Sequence, residues 1–166
     1  MDIQFAVLTV SDRSSRGERA DTSGPELIRL VSEHGWQVTR QDLVPDEFNQ
    51  IRAVLTAWCD GGDVDVILTT GGTGFSPRDV TPEATQAVIE RPAPGLAEAM
   101  RIASLKVTPH AMLSRACAGI RRRTLIVNLP GSPKAAVENL DVILPVLPHA
   151  VQLLRQDPDS EAGHKI

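Results

Sequence analysis

Apolar positions along this chain alternate between two periods. Short, mostly apolar runs, "IQFAVLTVSD" (3–12), "VDVILTT" (64–70) and "RTLIVNL" (123–129), read as β-strands, the almost wholly apolar 64–70 run as one covered on both faces of a parallel sheet. "WQVTRQDLV" (36–44) is a further strand. Between them the period lengthens to that of a helix. In "SGPELIRLVSEHG" (23–35), Leu27, Ile28, Leu30 and Val31 form one stripe, Ser23 is the cap, Pro25 sits in the first turn and Gly35 is the stop. Helices are also predicted over 47–60, 81–90 and 95–107, and from 130 onward. Pro145 and Pro148 divide that last region into two helices. "SRACAGI" (114–120) reads as a strand joined to 123–129 by an arginine turn.

Strands that alternate with helical crossovers predict an α/β three-layer sandwich with a mainly parallel sheet. One domain is expected over 1–156, followed by a polar tail, 157–166, that frays. In such sheets ligands bind outside the carboxyl ends of the strands. Four unusual segments fall at those ends: "SDRSSRG" (11–17), "PDE" (45–47), "GGTGFSPRD" (71–79) and "NLPGSPK" (128–134). They are expected to line one crevice.

The third of these is a glycine-rich turn between strand and helix, a geometry that brings backbone N–H groups up to an anion. It is not a Walker loop, since no lysine follows Gly74, and it is not a dinucleotide fingerprint, since Pro77 stands where the last glycine belongs. Asp46 and Asp79 are two loop carboxylates at one sheet edge, a donor set that suits Mg²⁺ shared with substrate phosphates. Asp46 also suits a turn or helix cap, whereas Thr81 can relieve Asp79 of that role. Arg78 either neutralises phosphate or pairs with Asp79. Ser132 and Lys134, at the start of the helix after "NLPG", form a second anion-binding candidate. Ser114 has neither a histidine base nor a nucleophile elbow, so it is a hydrogen-bonding or turn residue. Ser11 and Asp12 are ligand contacts or turn formers.

Composition narrows the classes. The chain has 166 residues, net charge −4, three Phe, two Trp and no Tyr, which argues against a nucleic-acid binder. The cluster Arg121–Arg123 lies between apolar runs and reads as a solvated turn. Cys59 and Cys117 are far apart in sequence and read as free thiols, and the four histidines lack metal-ligand spacing. No secretory leader and no run of membrane-spanning length is visible, so a cytoplasmic chain is expected.

Taken in order, "LTVSD", "VPDE", "TGGTGFSPRDVTPEAT", "PGL", "MLSR", "AGIR", "LIVNLPGSPKA" and "LPHAVQLL" resemble the molybdopterin adenylyltransferase family, which takes in the bacterial MogA type, the plant molybdenum-insertion G-domain and the gephyrin G-domain. The resemblance spans roughly residues 5–155. It implies the molybdopterin-binding fold, a homotrimer, and Mg²⁺-dependent transfer of AMP from ATP to molybdopterin, with a molybdenum insertase downstream. It also implies that Asp46 and Asp79 are the essential aspartates that position the metal, and that Ser114 lies at the pterin end of the site. Gly71, Gly72, Thr73 and Gly74, with Pro130, Gly131, Ser132 and Lys134, would surround nucleotide and phosphates. The competing readings are a non-catalytic molybdopterin carrier or oligomeric scaffold of the MoaB-like class, and a regulatory nucleotide binder.

Overall fold

The computed structural model describes residues 1–158; the rest of the tail, 159–166, lies outside the described residues. Strands β1 (Gln4–Val10), β2 (Gln37–Val44), β3 (Val66–Thr70), β4 (Arg91–Pro92), β5 (Ala118–Arg121) and β6 (Thr124–Leu129) form one sheet in the order β2-β1-β3-β6-β5-β4. β2, β1, β3 and β6 are mutually parallel, while at one edge β5 pairs antiparallel with β6 and β4 antiparallel with β5. The expected three-layer sandwich is therefore present, with a short antiparallel margin.

Alternation along the central strands sorts side chains to the two faces. Phe5, Val7, Val66, Leu68, Leu125, Val127 and Leu129 meet helices α2 (Ser23–Glu33), α5 (Pro94–Leu105), α6 (Pro133–Ile143) and α7 (Leu147–Arg155). Ala6, Leu8, Val10, Ile67 and Ile126 meet α3 (Phe48–Gly61) and α4 (Thr81–Val88). Contrary to the expectation that no run reaches membrane-spanning length, Pro133–Arg155 is long and apolar enough to do so by length and composition alone. Here the stretch is broken by a 3₁₀ turn at Leu144–Val146, and its stripe Ala136, Leu140, Ile143, Leu147 and Val151 is buried against the sheet.

Four local expectations change. A short helix, α1 (Asp12–Ser15), interrupts the first loop, because Ser11 accepts a hydrogen bond from the Ser14 amide at 3.1 Å. Ser23 does not cap α2: it is the first helical residue, and Asp21 accepts from the Gly24 amide at 3.1 Å instead. Likewise Thr81 is already inside α4, and its hydroxyl donates to the Gly71 carbonyl at 2.9 Å rather than capping. β5 begins at Ala118, not at 114, because the Arg115 amide donates to Thr73 across the site.

Candidate functional site

Because four neighbouring strands are parallel, the loops that follow them emerge at one edge, and they enclose a cleft of about 590 Å³. Ser11, Asp12 and Asp46 form one side. Gly71, Gly72 and Asp79 form the floor and far wall, and Gly131 and Ser132 close it. Arg13, Arg16 and Arg19, from the first loop, add positive charge to the rim. All four expected segments thus meet, but not every candidate residue faces the same space. Thr73, Gly74, Ser114 and Pro130 line an adjoining pocket of about 260 Å³, which also holds Arg101, His110 and Leu113. Lys134 lines neither cavity. Pro133 starts α6, and the next residue falls on the outer face, where Lys134 is largely exposed and stands 3.8 Å from Glu138.

Asp46 is set by a reciprocal brace with Asp12. The Asp12 amide donates to Asp46 Oδ2 at 2.8 Å, and the Asp46 amide donates to Asp12 Oδ1 at 3.0 Å. Burial holds the Asp46 carboxyl above its ordinary range; the Asp12 amide works against that shift, and the neighbouring Asp12 and Asp79 carboxylates add to it. Asp12 moves the other way, because the Arg78 guanidinium favours its charged form. Arg78 donates from Nε and Nη2 to the two Asp12 oxygens at 2.9 and 3.0 Å, and from Nη2 to Glu47 at 2.8 Å. It does not pair with Asp79, whose Oδ2 accepts from the Ser76 amide at 3.0 Å and so shapes its own turn.

Two glycines of the loop are required by contact as well as by conformation. Gly71 has φ +103°, and a Cβ there would lie 2.2 Å from the Val10 carbonyl oxygen. Gly72 has φ +68°, and its Cβ would meet Thr81 Oγ1 and Asp46 Oδ1 at 2.4 and 2.9 Å. The last strand is tied to the same turn. The Thr70 hydroxyl donates to the Pro130 carbonyl at 2.7 Å, and the Gly71 amide donates to Leu129 at 3.2 Å.

Arg115 organises the rest of the loop, a role its sequence position beside Ser114 did not disclose. Its Nε donates to the Gly74 carbonyl at 2.7 Å and its Nη2 to the Asp79 carbonyl at 2.7 Å, while Nη1 pairs with Glu83. One guanidinium therefore holds both ends of the segment between Gly74 and Asp79. Ser114 itself accepts from the Ala116 amide at 3.3 Å. Behind the loop, Asn128 is fully buried and uses its full side-chain capacity. It donates to Thr69 and Thr85 hydroxyls, both at 2.9 Å, and accepts from the Cys117 amide and thiol, both at 3.2 Å. The signal for Asn128 was an amide inside an otherwise apolar strand; the signal for Arg115 was an arginine where the apolar alternation stops.

Chemically, the cleft offers the carboxylates of Asp12, Asp21, Asp46 and Asp79, a glycine turn and the N-terminus of α6, where no side chain caps the free amides. The sequence pattern of a family described as "Probable molybdopterin binding domain" matches residues 6–149. The chain is 43% identical over 154 residues to the molybdopterin adenylyltransferase of Helicobacter pylori, covering 92% of this chain and 88% of that one. It is 48% identical over 164 residues to gephyrin of Dictyostelium discoideum, with 93% of this chain matched. The chain spans 23% of the length of that relative. The crystal structure of the molybdopterin biosynthesis enzyme MoaB from Thermus thermophilus superposes with a TM-score of 0.88 at 51% identity, covering 94% of this chain and 98% of that one.

Proposed function

This chain belongs to the molybdopterin-binding domain family, and from that premise we propose that it is a molybdopterin adenylyltransferase of molybdenum cofactor biosynthesis, using ATP as the AMP donor. The observation that carries the reading is the meeting of Asp46, Asp79, the glycine turn and the α6 N-terminus in one polar cleft, with the Ser114 pocket beside it. The polar cleft suits the nucleotide phosphates, and the smaller pocket suits the pterin.

In the reaction, an oxygen of the molybdopterin phosphate attacks the α-phosphorus of ATP. The new P–O bond forms as the α–β anhydride bond breaks, and pyrophosphate leaves with the bonding electrons. A phosphate monoester has a second pKa of about 6, so the nucleophile is ionised at neutral pH and needs no strong base. What must be overcome is the approach of two anions, together with their orientation. Backbone amides of the glycine turn beyond Gly71, whose own amide is bonded to Leu129, and of the first turn of α6 would face those anions. Arg13, Arg16 and Arg19 lower the cost of gathering them.

The donor set fits Mg²⁺. Asp46 and Asp79 border the same cleft, and beyond burial the Asp12 and Asp79 carboxylates raise the cost of ionising Asp46, a repulsion that a divalent cation relieves. When bound, Mg²⁺ would supply charge neutralisation on the phosphates. Asp46 and Asp79 would hold it, and Asp12 would serve Asp46 rather than touch the ligand. A homotrimer, a downstream insertase as partner and a cytoplasmic setting complete the proposal.

The test is pyrophosphate release from Mg-ATP with and without molybdopterin. Pterin-dependent release that is lost in Asp79→Asn supports adenylyl transfer. One alternative, a molybdopterin carrier, predicts pterin binding with no pyrophosphate.

A further inference from the structure

We propose that Arg78 is a positioning residue, a clamp that joins three of the cleft's loops in the free protein and sets the Asp46 carboxylate through Asp12. Arg78 belongs to the glycine loop, Asp12 opens α1 within the segment after β1, and Glu47 lies in the loop after β2. One guanidinium bonds to all of them. Nε and Nη2 take the two oxygens of Asp12, and Nη2 also takes Glu47 Oε1. These contacts flank Asp46 from both sides. Glu47 is its chain neighbour, and Asp12 exchanges backbone-to-carboxylate hydrogen bonds with it in both directions.

The arrangement answers an electrostatic problem. Asp12, Asp46 and Asp79 face one cleft, and three carboxylates so placed repel each other before any ligand arrives. A fixed cation on Asp12 offsets part of that repulsion and leaves Asp46 turned toward Gly72 and the cleft. Arginine is required because two separate carboxylates are held by a planar fork; a lysine ammonium has the charge but not that geometry. With Nε and Nη2 committed to carboxylates, the role assigned to Arg78 is to act on the reaction through Asp46, and the double variant below separates this from a phosphate contact through Nη1.

The clamp itself does not depend on the adenylyltransferase reading; only its effect on ligand binding does. Two readouts keep them apart. Backbone amide hydrogen exchange by NMR is measured on the free wild-type protein, Arg78→Met and Arg78→Lys. Affinity for Mn²⁺-ATP is then measured on the same proteins without pterin. The Asp12 and Asp46 amides are expected to exchange at least about 10-fold faster in Arg78→Met, with Leu68 and Val127 unchanged as a check on folding, and lysine is expected to restore only part of the protection. Mn²⁺-ATP affinity is expected to fall by about 10-fold, and by no more when Asp12→Asn is added. Unchanged protection of the two amides would overturn the clamp, whatever the nucleotide does. Faster exchange with unchanged affinity would overturn its role in setting Asp46. Additive losses in the double variant would make Arg78 a direct phosphate contact instead. If wild-type protein binds no Mn²⁺-ATP, the adenylyltransferase reading fails, and amide exchange alone still decides the clamp.

Discussion

Asp46 Oδ1 stands 2.9 Å from the point where Gly72 would carry a side-chain carbon. The carboxylate and the glycine turn are therefore fitted to each other, and the turn also has φ +68° at this position. Gly72→Ala is expected to destabilise the fold by more than about 1 kcal/mol, measured by urea denaturation, because alanine is strained there and displaces Asp46 or Thr81. Displacing a catalytic group by about 1 Å can cost on the order of 10²-fold in rate, so turnover should fall further than stability suggests. Wild-type turnover in this variant would remove Asp46 from the reacting centre.

Asp46 also makes the fold depend on pH. Its folded pKa lies above the ordinary 3.8, so between 3.8 and the raised value the native state holds more proton than the unfolded chain. Its contribution to stability is therefore lost as pH rises through that window. Asp12 has the opposite sign: its pKa is lowered, so its contribution is present above 3.8 and lost as pH falls. Asp46→Asn is expected to raise the denaturation midpoint at pH 7, within the common range of about 0.5–2 kcal/mol for stabilising changes, while reducing turnover by about 10²-fold or more. The gain in stability should vanish in acid, where the native carboxyl is already protonated. A gain that persists unchanged there would place its cause elsewhere.

Arg115→Ala removes both guanidinium ties to the glycine loop and leaves Glu83 without its cation. The pair is partly exposed, so a cost of about 2 kcal/mol is expected rather than the larger penalty of a fully buried pair. Limited proteolysis should detect new cleavage between residues 74 and 80. Arg115→Lys should not restore protection, because one ammonium cannot reach Gly74, Asp79 and Glu83 together.

Both thiols are predicted to be inert in the native state. Burial pushes Cys59 up to about 12 and Cys117 up to about 11. An alkylating reagent near neutral pH should label neither at an appreciable rate, because even a free thiol of pKa about 8.5 is only a minor fraction thiolate there and these two are far less ionised, and both should react once urea unfolds the chain. Rapid native labelling of Cys117 would mean that its contact with Asn128 opens readily.

Much of this could be read from residues 3–10, 64–70 and 123–129, because strands covered on both faces are apolar throughout and hard to mistake. Once those runs are parallel, their following loops must meet, and a cleft at that edge follows from the sequence. β4 was missed because two residues, Arg91 and Pro92, carry no period at all. The pairing of Arg78 was open for a different reason: sequence proximity favoured Asp79, while the actual partners, Asp12 and Glu47, are 66 and 31 positions away. Division of the candidates between two cavities depended on how Pro130 and Thr73 pack, and Lys134 turned outward because of helical phase after Pro133.

The parallel order β2-β1-β3-β6 has one more consequence, for how the protein comes to work at all. The cleft draws on residues from 9 to 132, and its walls are brought together by pairings between distant strands. Non-local pairings of this kind are the slow steps of folding. A nascent chain that has yet to complete β6 therefore has a first loop and a glycine turn but no binding site. The site thus depends on the docking of the last parallel strand, the one its far loop follows.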